Sequence, residues 1–210
     1  QVKEPGTPFI RNFTKGDYSA STQNWAVAQD AKGFMYFANN DGLLRYDGVI
    51  WQLYRMPNHS MVRSVYIDDR SDIYLGAYND FGKMVTGPNG ELTFRSFRDL
   101  IPEEYRNFDD VWNVFEYRGK VVFQSYYAAY FHRDGTPMTV VPAPSRFQNS
   151  YSVRGRLLFN DVENGLMEFD GTRLVSLPGC ESLAGQDIWS ILPFGNSREM
   201  LVCTLGEGLF

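Results

Sequence analysis

Two adjacent acidic pairs, Glu103-Glu104 and Asp109-Asp110, and two histidines, His59 in "PNHS" and His132 in "FHRDG", are the side chains best suited to acid–base or metal chemistry. Their spacing argues against both. Neighbouring residues on a strand point to opposite faces, so an adjacent carboxylate pair is poorly placed to work on one bond from two sides. Neither histidine has a partner at metal-ligand spacing, and the chain has no glycine-rich phosphate loop between a strand and a helix and no nucleophile elbow. The acidic pairs read as solvated loop carboxylates, His59 as a loop residue and His132 as a turn-flanking one. No catalytic residue, metal site or cofactor is expected. Cys180 and Cys203 lie in different segments and read as free thiols in a core, with a single bridge left open.

A second group of residues is better organised. "QNW" at 23–25, "DDVW" at 109–112, "QNSY" at 148–151 and "QDIW" at 186–189 each set an amide or carboxylate before an aromatic ring, and "VRSV" brings Arg63 to the matching place in another segment. Such groups suit sugar recognition, because hydroxyls exchange hydrogen bonds with amides, carboxylates and guanidinium while ring faces stack on the sugar. The candidate ligand-binding residues are Gln23, Asn24, Trp25, Arg63, Asp110, Trp112, Asn149, Tyr151, Asp187 and Trp189. The same polar types also cap strand ends. Trp25, Trp112 and Trp189, as repeated apolar positions, are expected to pack between neighbouring sheets.

The elements that must position these residues repeat. Taking Trp25, Arg63, Trp112, Tyr151 and Trp189 as anchors, the spacings are 38, 49, 39 and 38 residues, with a mean of 41. That is the period of a four-stranded propeller blade, roughly 40–45 residues. Each period holds four short runs rich in Val, Ile, Phe, Tyr and Trp, separated by Gly, Asp and Asn clusters. In "FANNDGLLRYDGVIWQLY", 37–54, Asp47-Gly48 between two such runs predicts a two-residue hairpin with a type I′ turn, and similar turns recur in 87–97, 132–141 and 169–177.

The predicted fold is therefore all-β: a β-propeller of four-stranded antiparallel blades, four complete and a fifth in part. The blades span residues 25–54, 62–97, 111–141, 150–177 and 188–210, with 8–14 as a lone outer closing strand. A helical turn within 97–108 accounts for the long spacing. A ring of seven such blades needs about 287 residues, so the chain reads as a fragment of a seven-bladed ring.

Composition sets the outer bounds. At 210 residues, 43% hydrophobic and 16% aromatic, the chain can bury a substantial core. With 25 acidic against 20 basic residues and no basic cluster, a nucleic-acid surface is not expected. No apolar run reaches the roughly 20 residues of a membrane helix, so no membrane contact is expected in this segment. The first residue is Gln1. That fits a mature chain freed of a signal peptide, the preferred reading, or a piece cut at a domain start.

The stretch "QDAKGFMYFANNDGLLRYDG" at 29–48 resembles the regulator-propeller repeats at the N-terminus of bacterial membrane sensors, chiefly hybrid two-component systems and one-component regulators of gut Bacteroidetes. Asp30, Gly33, Tyr36, Phe37, Gly42, Leu43, Tyr46, Asp47 and Gly48 occupy the places of that repeat. Gly165, Leu166, Phe169, Asp170 and Gly171 match it more loosely, and Gly208-Leu209 keep its glycine step. The second and third repeats keep only the strand pattern and the turn. The resemblance implies a periplasmic sensor region, followed in the rest of the receptor chain by an immunoglobulin-like domain, a membrane helix and a kinase or DNA-binding output. It implies sensing of polysaccharide breakdown products, an oligosaccharide ligand, and control of genes for their uptake and digestion. Self-association through propeller edges or as a dimeric receptor is expected with it. Two rivals make different predictions: a secreted propeller hydrolase or lyase requires carboxylates, or a histidine with carboxylates, converging in one pocket, and an interaction scaffold requires a flat closed face with an apolar patch.

Overall fold

The turns show why the chain breaks into short strands. Asp30 Oδ1 accepts from the backbone N–H groups of Lys32 and Phe34 at 2.9 and 3.0 Å, and Asp68 Oδ1 does the same one repeat later for Arg70 and Asp72 at 2.9 and 2.8 Å. These side-chain turns reverse the chain after the first strand of a blade. The Asp-Gly signal marks a real hairpin but not a two-residue one. Tyr46 pairs with Trp51, so residues 47–50 all lie in the loop. Asp47 Oδ1 accepts from Val49 and Ile50 N–H at 2.8 and 2.7 Å, and only Gly48 takes a positive φ. The aspartate thus closes the turn with its side chain instead of adopting the left-handed backbone of a type I′ turn. Asp170-Gly171 repeats this arrangement between Phe169 and Leu174.

The computed structural model describes residues 6, 9–196 and 199–210, which form five antiparallel sheets in chain order. Blade 1 comprises β1 (Asn24–Gln29), β2 (Met35–Asn39), β3 (Gly42–Tyr46) and β4 (Trp51–Tyr54). Blade 2 has β5 (Val62–Ile67), β6 (Ile73–Ala77), β7 (Asp80–Thr86) and β8 (Leu92–Ser96). Blade 3 has β9 (Asn113–Tyr117), β10 (Lys120–Gln124), β11 (Ala128–His132) and β12 (Thr139–Pro142). Blade 4 has β13 (Phe147–Val153), β14 (Arg156–Asp161), β15 (Gly165–Phe169) and β16 (Leu174–Ser176). Blade 5 contributes β17 (Ile188–Pro193) and β18 (Met200–Thr204). A third strand starts there, since Val202 and Phe210 exchange two backbone hydrogen bonds of 2.9 Å.

Neighbouring blades bury their faces against each other in four apolar seams. Leu43, Val62, Leu75 and Met84 fill the first, and Phe81, Val121, Phe123 and Tyr130 the second. Phe147, Leu157 and Phe159 fill the third, and Leu158, Ile188 and Val202 the fourth. Each fully buried side chain of this size contributes roughly 1.5–3 kcal/mol relative to exposure, so the seams are what hold the blades side by side. Gly42, shared with the resembling repeat, has a steric reason: a Cβ there would lie 2.3 Å from the Tyr54 carbonyl oxygen.

Two segments depart from expectation. Of the predicted outer strand 8–14, Pro8 lies outside the described residues and 9–14 form no strand. A capping box between Thr14 and Asp17 opens a short helix, Lys15–Tyr18, and Phe13 packs edge-on against Tyr46 and Trp51 at 5.1 and 5.2 Å. Local capping and apolar cover on blade 1 replace strand pairing. The insertion at 97–108 winds as two 3-10 turns, Arg98–Leu100 and Glu103–Tyr105, and drops Phe97, Ile101 and Phe108 into the second seam. Both cysteines are free.

Candidate functional site

A regular strand sends every second residue into a seam. The innermost strands break that rule at their first turn of pleat. Register shifts fall between Asn24 and Ala26, Val62 and Ser64, Phe147 and Asn149, and Ile188 and Ser190. Each shift is a β-bulge, which takes one residue out of the alternation and re-aims it. The bulged residues are Trp25, Arg63, Gln148 and Trp189. Trp112 occupies the same place in blade 3, one residue before β9, with its N–H on the Gln124 carbonyl at 2.9 Å.

This corrects two readings of the sequence. Trp189, expected between blades, is 67% exposed at the mouth of a cleft, whereas Trp25, 41% exposed, and Trp112 do meet across blades, ring centroids 5.7 Å apart, and line the same cleft as Trp189. The anchor of the fourth repeat is Gln148, 36 residues after Trp112, and not Tyr151. Tyr151 is buried in the seam between blades 4 and 5, where its hydroxyl donates to the Ile188 carbonyl at 2.5 Å and burial pushes its pKa up.

Three of the bulged residues, Trp25, Gln148 and Trp189, line a cleft of about 420 Å³ together with Trp112, at the end of the sheets where the inner strands begin. Trp25, Trp112, Tyr126 and Trp189 are its aromatic lining, and Asn113, Gln148, Asn149 and Asp187 its polar lining. The polar groups are held in place before any ligand arrives. Asn113 Nδ2 donates to Gln124 Oε1 at 3.0 Å and to Asn149 Oδ1, and Gln148 Nε2 donates to Asp187 Oδ1 while Gln148 Oε1 accepts from Asn160 at 2.7 Å. Trp25 Nε1 donates to Asn40 Oδ1 at 2.7 Å, which fixes its indole from the outer side.

Of the ten candidates, Trp25, Trp112, Asn149, Asp187 and Trp189 come together in the cleft. Arg63 and Asp110 form an ion pair of 2.9 Å beside it. Gln23 and Asn24 serve the strand ends instead, the first through its carbonyl to the Asn40 N–H at 3.3 Å and the second through Oδ1 to Asn39 Nδ2 at 2.8 Å. Asn113, Tyr126 and Gln148 line the cleft but were not among the ten candidates, although Gln148 opens the "QNSY" motif. Asn113 follows an anchor directly, a signal that the repeat offered; Tyr126 sits in the β10–β11 turn, away from every anchor, with Arg146 4.1 Å over its ring. Neither histidine lines the cleft: His59 is an exposed loop residue, and His132 is buried at the far end of blade 3.

No family model matches the sequence, and no curated protein matches it. Solved structures match its fold. The extracellular domain assigned to a one component system of B. thetaiotaomicron superposes with a TM-score of 0.64 at 17% identity, over 90% of this chain and 26% of that one. Virginiamycin B lyase from Staphylococcus aureus gives a TM-score of 0.62 at 12% identity, over 87% of this chain and 64% of the lyase. PorZ, a surface component of the type-IX secretion system of Porphyromonas gingivalis, gives 0.58 at 12%, over 89% and 24%. At these identities the likeness establishes the propeller fold alone.

Proposed function

We propose that this chain is a ligand-binding propeller of the periplasmic sensor region of a membrane-bound signal-transduction regulator, and that it takes oligosaccharides released from polysaccharide breakdown. In that reading it is part of a seven-bladed ring. Occupancy is passed to the output module by the relative placement of domains or subunits, and the genes controlled serve polysaccharide use.

The observation that carries the proposal is the cleft at the bulged strand ends, lined by four aromatic side chains together with amides fixed by hydrogen bonds. Ring faces and fixed amides are what a sugar needs, since its C–H face stacks and its hydroxyls pair. Asp187 is the one charged residue in the lining, so a neutral sugar fits better than a uronate, whose carboxylate would meet it. Binding is favoured over turnover because the lining offers one carboxylate and no histidine, short of a general acid and base pair. The resemblance of residues 29–48 to the regulator-propeller repeat and the shared fold of the B. thetaiotaomicron extracellular domain support the sensor role.

The test is calorimetry and tryptophan fluorescence of the 210-residue chain against a panel of neutral and uronate-bearing oligosaccharides. Binding of a neutral member that is lost in Trp189→Ala is the expected result. A panel that leaves the fluorescence unmoved, or an oligosaccharide that is cleaved, overturns the proposal.

A further inference from the structure

Arg63 does not line the cleft, yet it touches both indoles that form one wall of it. Its guanidinium carbon lies 4.2 Å from the ring centroid of Trp25 and 5.0 Å from that of Trp112. The two indoles meet edge to face, 5.7 Å apart with 78° between their planes. Nε donates to Asp110 Oδ1 at 2.9 Å, and the side chain is only 10% exposed. Each contact crosses a seam: Trp25 belongs to blade 1, Arg63 to blade 2, and Asp110 and Trp112 lead into blade 3. A planar cation held in orientation by a carboxylate and in contact with two rings leaves those rings little freedom to tilt.

The arginine is held by these contacts without being fully satisfied in its seam. Its Nη1 is buried without a hydrogen-bond partner, as is Nε1 of Trp112. Unpaired buried donors cost free energy; an apolar side chain of similar length would remove that cost but leave the Asp110 carboxylate, 13% exposed, without its partner.

We infer that Arg63 is the positioning residue of the rim, fixing the angle between Trp25 and Trp112 and with it the shape of the aromatic wall. Resting on the reading of the cleft as an oligosaccharide site, affinity then depends on a side chain that the ligand does not touch.

Two indoles at this distance and angle couple electronically, so the wild-type chain is expected to show a far-ultraviolet exciton couplet in circular dichroism, with Trp25→Phe as the reference that lacks it. Arg63→Met is expected to lose or reshape the couplet and to weaken the best-bound neutral oligosaccharide of the panel by about tenfold. Arg63→Lys keeps the charge without the plane and falls between the two. Should Arg63→Met fail to fold, Arg63→Lys and Asp110→Asn, each checked by thermal melting, take its place. An unchanged couplet in the folded Arg63 variants overturns the inference, and so does a fall in affinity with the couplet intact, which would mean direct contact. A reshaped couplet in a chain that binds no oligosaccharide supports the positioning role and overturns the oligosaccharide reading instead.

Discussion

Phe123 and Trp189 are both large aromatic residues in the inner half of a blade, and they lead opposite lives. Phe123 is fully buried in the seam between blades 2 and 3, with ring centroids of Phe81, Phe97 and Tyr74 at 4.7, 6.0 and 6.3 Å. Trp189 is 67% exposed at the mouth of the cleft. Hydrophobicity does not separate them; register does. Phe123 keeps the two-residue period of its strand and is delivered to the seam, whereas Trp189 sits on a bulge that removes it from the period. The seam carries stability and the rim is free to carry recognition.

That division is broken or confirmed most sharply at Phe123. Truncation to alanine leaves a cavity among three other rings and is expected to cost about 3–5 kcal/mol, read as a lower urea midpoint, while the molecules that remain folded keep the affinity of the rim. Trp189→Ala is expected to do the reverse. Its removal should alter stability by no more than about 0.5 kcal/mol and weaken oligosaccharide binding by roughly tenfold or more. A Trp189 variant that melts early, or a Phe123 variant whose folded form fails to bind, would mean that seam and rim are one unit.

The blades were legible in the sequence because a seam repeats. Alternating apolar runs and Asp or Asn turns recur at a near-constant spacing, and β1 to β18 fall where those runs lie. The rim was legible only in part, because a bulge leaves no composition signal: "FQNSYSV" offers Tyr151 as the obvious aromatic counterpart of Trp112, and the register places Gln148 there instead. Tyr126 was out of reach, since its turn is brought to the cleft by β10 and β11 folding back, a contact between residues that share no repeat position. The segment 9–14 misled for a different reason: an apolar run reads as a strand until a neighbouring capping box gives the chain a better local alternative.

The fourth blade sharpens the comparison within seven residues. Tyr151→Phe removes the hydroxyl that donates to the Ile188 carbonyl across the seam and should cost about 1 kcal/mol in the urea melt with no change in affinity. Gln148→Ala should leave the melt nearly unchanged and weaken binding. If the two results are exchanged, the bulge assignment in blade 4 is wrong and Tyr151 is the anchor after all.

The smallest expected effect tests whether the far end of the blades is silent at the rim. His132 is buried there against Phe97, with ring centroids 4.2 Å apart. Its Nε2 lies 3.2 Å from Asp134 Oδ1, and Lys83 Nζ lies 3.6 Å from the same carboxylate. Burial holds the imidazole below its ordinary value of 6.5, against the opposing pull of Asp134 and with Lys83 and Arg95 adding to the depression. Above that ordinary value both the folded and the unfolded chain carry a neutral ring, and His132 contributes no pH dependence. As the pH falls through 6.5 the unfolded chain takes up the proton first, so stability is lost from there down to the folded value. Nδ1, buried without a partner, offers the incoming proton no acceptor. His132→Gln should therefore flatten the fall of the urea midpoint between about pH 7 and pH 5.5, by less than about 1 kcal/mol, without altering the pH profile of oligosaccharide binding. A binding profile that changes with His132 would show that the two ends of the blades are coupled, and that protonation at one end reaches the aromatic wall at the other.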